Sequence, residues 1–157
     1  MKIKLITVGK TSTPYITEGI NVYVKRLERY VPFEMIQLPD IKNARSITED
    51  VQKQKEGEQI LAAIGNGNWV ILLDERGKEF TSRQFAEYID KKMVNLRTDI
   101  IFVVGGPYGF SDAVYRRADD KISFSKMTFS HEMIRLFFTE QLYRAFTILR
   151  GEPYHHD

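Results

Sequence analysis

Ile100-Ile101-Phe102-Val103-Val104 is five apolar residues without a polar break. A strand with one wet face alternates, whereas an unbroken aliphatic run needs cover on both faces. That is the condition of a strand inside a parallel sheet with helices above and below. Trp69–Leu73 is a second such run, Lys2–Val8 alternates, and Phe33–Leu38 follows Pro32. Lys121–Ser125, with Ile122 and Phe124 set against polar neighbours, is a weaker fifth candidate.

Helical patterns fill the gaps. Thr13-Pro14 can cap and open a helix whose apolar positions Ile16, Ile20, Tyr23, Val24 and Leu27 recur every three or four residues. Ser46 with Glu49 and Thr81 with Gln84 each fit a capping box. The second helix stops at Ile64, before Gly65-Asn66-Gly67-Asn68, and the third carries Phe85, Ile89 and Met93 on one stripe. Ser111 caps a short fourth, and the last runs from about His131 to Arg150, capped by Ser130 and ended by Gly151 and Pro153. Strand and helix alternating about five times predict an α/β fold: a mostly parallel sheet with helices on both faces, one domain over residues 1–157. Asp40 to Arg45 is the loop expected to move most.

At 157 residues, 43% hydrophobic and 28% charged, the chain has the composition of a globular protein with one core. No stretch approaches the roughly 20 apolar residues of a membrane span, and the opening strand is too short for an export signal. A cytoplasmic location is expected. Cysteine is absent, which removes disulfides, thiolate nucleophiles and Cys-based zinc sites. A net charge of +2 gives little general hold on a polyanion. Nucleic-acid binding would need a local patch, a second subunit or a pre-formed RNA shape.

Two segments could carry chemistry. In Val104-Gly105-Gly106-Pro107-Tyr108-Gly109 a strand runs into a glycine loop and then the helix at Ser111. Loops at strand C-terminal ends are where open α/β sheets bind ligands, and glycines admit close backbone approach. The loop is neither G-x-G-x-x-G nor a P-loop, so a tight strand-to-helix turn remains the other reading. Ser123 to His131 is rich in hydroxyls and apolar side chains for a connecting loop. It either lines a pocket or is pinned by its own Ser and Thr hydrogen bonds, with Phe124 and Phe129 in the core.

His131-Glu132 begins like a zincin helix, but position 135 is Arg, so no metal site is expected. The last helix is apolar on more than one side, at Ile134, Leu136, Phe137, Phe138, Leu142, Ala145, Phe146, Ile148 and Leu149. Such a helix needs more than one cover: the sheet supplies one, and a second copy of the chain is the expected other. Glu140 and Arg144 are spaced as a helical ion pair. On chemistry alone the tail from Glu152 to Asp157 is a frayed end.

Together these motifs resemble the SPOUT-superfamily methyltransferases that modify a pseudouridine in large-subunit ribosomal RNA. The resemblance spans the chain: Val8-Gly9-Lys10, Lys55-Glu56-Gly57-Glu58, Gly105-Gly106-x-x-Gly109, Ser123-x-Ser125-x-Met127-Thr128, Glu140-Gln141-x-Tyr143-Arg144-Ala145 and Pro153-Tyr154-His155. It departs from the family pattern at Ser130, where Pro is frequent, and at His156, where Lys or Arg is common. The resemblance implies a C-terminal deep trefoil knot, against the general rule that chains do not knot. It also implies a homodimer, and S-adenosylmethionine bound in the knot at Leu73, Gly105, Gly106 and the loop Phe124, Ser125, Lys126, Met127, Thr128 and Phe129. Glu140, Arg144, Tyr154 and His155 match positions near the RNA.

The implied reaction is methylation of N3 of a pseudouridine, with the ribosome as the expected substrate. N3 carries a proton, so either His155 or Glu140 serves as base, or the imide ionises first. Two other classes compete. A non-catalytic ribosome-associated RNA-binding module would keep Lys25, Arg26 and Arg29 but need no cofactor. A phosphate-binding hydrolase using Gly105–Gly109 would need a metal or an acid pair that the sequence does not offer.

Overall fold

The computed structural model describes residues 1–156. Five strands form one all-parallel sheet: β1 (Ile3–Val8), β2 (Phe33–Leu38), β3 (Trp69–Glu79), β4 (Ile100–Val104) and β5 (Asp120–Ser123), in the order β2-β1-β4-β3-β5. Five helices connect them: α1 (Pro14–Leu27), α2 (Glu49–Ile64), α3 (Ser82–Asn95), α4 (Asp112–Arg117) and α5 (Met133–Leu149).

The unbroken run of β4 is explained by its two faces. Ile100, Phe102 and Val104 join a core built with α1, α3 and α5, while Ile101 and Val103 join a second core with α2 and α4. Both faces are therefore dry, and all five β4 residues are buried.

Several boundaries differ from the sequence expectation. α2 is capped by Thr48, whose hydroxyl accepts from the Val51 amide at 3.1 Å. Ser46 lies instead in a short 3-10 turn, donating to the Asn43 carbonyl. Thr81 and Gln84 do form a reciprocal capping box. α5 starts at Met133 rather than near His131, but Ser130 still accepts from the Met133 amide at 3.1 Å.

β3 is six residues longer than its aliphatic run. Ile122 of β5 faces both Leu73 and Lys78, so the four residues between them form an outward excursion. A Cβ on Gly77 would lie 2.6 Å from the Ile122 backbone nitrogen, so only glycine allows this crossing.

The all-round apolarity of α5 is largely satisfied within the chain. The helix lies on the sheet with α1 on one side and α3 on the other, burying Phe138, Leu142, Ala145 and Phe146. Much of the second cover expected from another copy is thus supplied by α1 and α3 of the same chain. Phe137 and Leu149, each 37% exposed, are what remains.

Candidate functional site

The loops leaving β3, β4 and β5 enclose a cavity of about 590 Å³ at the C-terminal edge of the sheet, within the range typical of small-ligand sites. Leu73, Gly105, Gly106, Phe124, Ser125, Met127, Thr128 and Phe129 all line it. Lys126 does not: its side chain is 87% exposed and its Nζ lies 3.9 Å from Glu79.

Each loop is pinned by its own hydrogen bonds and also lines the cavity, with Phe124 packed on the core and Phe129 outside it against Phe137. The glycine loop is a tight turn, the Gly109 amide donating to the Gly106 carbonyl at 3.2 Å with Gly109 at φ +81, and it also lines the cavity. Gly106 has a second constraint: a Cβ there would meet the Glu56 carboxylate at 2.5 Å. Glu56 is buried on α2, receives one bond from Gln52, and its other oxygen has no partner among the described residues. Burial raises its pKa. The serine-rich loop is pinned as well. Ser123 Oγ donates to the Ser125 carbonyl, and the Met127 amide donates to Ser125 Oγ, both at 2.9 Å. Phe124 packs edge-on against Phe85 and stacks on Phe138.

The rim holds groups that the sequence reading missed. Asp74, Glu75, Arg76 and Tyr115 also line the cavity. Tyr115 donates a short hydrogen bond to Asp74, and Arg76 donates to the Tyr115 oxygen at 3.2 Å. Burial and then the Asp74 carboxylate push the Tyr115 phenol up. The available signal was a polar Asp-Glu-Arg-Gly stretch directly after an aliphatic strand.

Glu140, Arg144, Tyr154 and His155 form a second cluster, and none of them lines the cavity. Arg144 Nε and Nη2 reach Glu140 Oε1 at 3.0 and 2.5 Å, and Tyr154 donates to the same oxygen at 3.1 Å. Arg144 Nη1 lies 3.1 Å from His155 Nδ1. A guanidinium only donates, so Nδ1 accepts and the ring proton sits on Nε2. The tail is not frayed at this point. Glu152 accepts from Tyr30 at 2.7 Å, and Tyr154 packs on Tyr143 with centroids 4.8 Å apart. Burial, then Glu152, lifts the Tyr30 phenol to about 12.

The start of α5, just past the serine-rich loop, is anchored to the end of β1. Arg135 is 1% exposed and donates to the carbonyls of Val8 at 2.7 Å, Gly9 at 2.9 Å and His131 at 3.1 Å. Glu132 accepts from the Ser12 and Thr13 amides at 2.8 and 3.0 Å, ahead of α1. These backbone bonds, Thr13 foremost, hold its carboxyl down at about 2. In the sequence this His-Glu-x-x-Arg stretch reads as a helix start and a broken metal motif, with no sign of the anchor to β1.

Residues 1–155 match the family described as "Predicted SPOUT methyltransferase". The chain belongs to the SPOUT methyltransferases. Among SPOUT relatives, it is 60% identical to a Parabacteroides distasonis protein and 52% to one from Bacteroides thetaiotaomicron, with all of both chains covered in each case. Both carry the name ribosomal RNA large subunit methyltransferase H. A solved Haemophilus influenzae structure, described as a probable methylase family protein, shares the fold. Its TM-score is 0.58 at 13% identity, covering 99% of this SPOUT chain and 70% of its own. No helix among the described residues is long and apolar enough to cross a membrane.

Proposed function

We propose that the chain is an S-adenosylmethionine-dependent methyltransferase that methylates N3 of a pseudouridine in large-subunit ribosomal RNA, acting on the ribosome as a cytoplasmic homodimer. The observation that carries this reading is the cavity at the ends of β3, β4 and β5, in a chain so close over its full length to proteins bearing that name.

The cavity residues fit the cofactor. Apolar walls at Leu73 and Phe124 suit the adenine ring, and the Gly105 and Gly106 backbone with the Ser125 and Thr128 hydroxyls supplies directional partners. Asp74, Glu75 and Arg76 at the rim supply charged groups of both signs for the polar ends of the cofactor. When bound, S-adenosylmethionine supplies a methyl group on a sulfonium, whose charge vanishes as the methyl leaves. Little new charge then needs stabilising, and the protein's main contribution is to hold the RNA nitrogen in line.

The second cluster serves the RNA. Glu140 Oε1 accepts from both Arg144 and Tyr154, so it holds these two side chains in place. His155 is the base of this reading, taking the N3 proton on Nδ1 once Arg144 turns from that nitrogen to an RNA group. Arg26, Arg29 and Arg150 lie over Tyr23, Tyr143 or Tyr30 beside this cluster, giving the local basic and aromatic patch that a net charge of +2 otherwise lacks. Because this cluster and the cavity are separate within one chain, a two-fold pair that brings one copy's tail to the other's cavity completes the site. Exposed Met127 and Phe137 support such a contact. The β3 excursion and the close crossing at Gly77 support the family's knot.

The test is single-turnover transfer of labelled methyl to ribosomes lacking the modification. Label at N3 of one pseudouridine is expected, and His155→Ala should slow it by roughly 10²-fold with cofactor affinity unchanged. Cofactor binding without transfer to any ribosomal RNA would overturn the reading, and absence of cofactor binding would favour a non-catalytic RNA-binding module.

A further inference from the structure

A second cavity, of about 240 Å³, adjoins the first and shares Phe124 and Phe129 with it. It is smaller than the range of about 300–1,000 Å³ usual for larger ligands, so it suits a single heterocycle. Its walls are largely aromatic. Phe124 is held by Phe85 and Phe138, while Phe129 lies 4.9 Å from Phe137. Such walls accept the π-face of a base taken out of its stack.

One polar side chain in this pocket is locked at both ends. Gln141 Oε1 accepts from Ser82 Oγ at 2.9 Å, and Gln141 Nε2 donates to Glu140 Oε2 at 3.1 Å. The carboxylate only accepts, so the amide cannot be flipped. Each end keeps one capacity: a second N–H on Nε2 and a second lone pair on Oε1. Together these complement a ring that offers an N–H next to a C=O.

Pseudouridine has two such edges. The N3 edge is where the methyl goes. The other is N1–H beside C2=O, and uridine lacks it because there N1 carries the ribose. We propose that this pocket receives the target base and that Gln141 reads the N1–H and C2=O edge, leaving N3 free and selecting pseudouridine over uridine. The inference rests on the function proposed above. It makes Gln141 a specificity residue in the chain whose cavity holds the cofactor, held in place by Ser82 and Glu140.

The test compares methyl transfer to ribosomes carrying pseudouridine with transfer to ribosomes carrying uridine at that position, from a strain lacking the pseudouridine synthase. A site built to hydrogen-bond a substrate group rejects the analogue lacking it by up to about 10⁴–10⁵-fold. The wild type is expected to prefer pseudouridine strongly. Gln141→Leu should lower the pseudouridine rate by roughly 10²-fold or more and bring the ratio toward one, with cofactor affinity by calorimetry unchanged. Ser82→Ala, which frees the amide without removing it, should narrow the ratio less. An undiminished ratio in both variants would overturn the assignment while leaving the proposed function standing. A wild type that methylates neither kind of ribosome would overturn both.

Discussion

Gly105 and Gly106 are adjacent and alike in sequence, yet they meet different surroundings. A Cβ on Gly105 would lie 3.1 Å from the edge of the Phe110 ring, which can tilt, whereas one on Gly106 would enter the Glu56 carboxylate at 2.5 Å. Gly106→Ala should therefore weaken S-adenosylmethionine binding more than Gly105→Ala, by calorimetry on folded protein; equal losses would refute the distinction. Glu132 gives a residue-scale pH effect. Its carboxyl is held at about 2, below the ordinary 4.5, so its stabilising bonds are fully present above pH 4.5 and are lost as pH falls toward 2. Urea midpoints for wild type and Glu132→Ala should differ at neutral pH and converge over that acid window. Neither effect was legible in the sequence. Glu56 and Gly106 are 50 positions apart, as are β1 and α5 by more than a hundred, and the sequence gives no measure of which distant groups meet.

At the scale of elements, the alternation of apolar runs and helical stripes was enough to predict the α/β class, the parallel sheet and the place of each strand and helix in the chain, though not the full length of β3. Local periodicity encodes that much because each element satisfies its own backbone. The β3 excursion was not predictable, since nothing local says that Ile122 will be faced twice. Nor was the role of Arg135, which joins α5 to β1. Replacing it with Leu strips the Val8 and Gly9 carbonyls of their buried donor. The expected cost is about 2–4 kcal/mol, read as a lower urea midpoint with unchanged slope. Loss confined to within experimental error would mean that these carbonyls find other partners.

For the whole molecule, Phe137 and Phe138 allow folding and the proposed homodimer to be tested separately. Phe138 is fully buried against Phe102, with ring centroids 4.8 Å apart, whereas Phe137 is 37% exposed beside Phe129. Phe138→Asp buries an unpaired charge and should prevent folding. Phe137→Asp should leave circular dichroism unchanged but shift light scattering from about twice the 18.3 kDa chain mass to one chain mass. A folded Phe137→Asp protein that remains a dimer would place the interface elsewhere.

The anchor between α5 and the end of β1 also bears on the order of events during translation. Its hydrogen bonds join residues 119 to 127 positions apart, and the neighbouring strand β4 pairs with β1 across a comparable stretch. The opening strand and the first turn of α1 thus emerge long before their partners are made. Contacts so distant in sequence form slowly, and meanwhile the nascent chain exposes apolar edges that invite aggregation. Residues 124 to 134, which close the cavity, emerge at the same late stage as Glu132 and Arg135. A protein of this family, made by one ribosome, completes its pocket only after nearly all of its chain has left the exit tunnel.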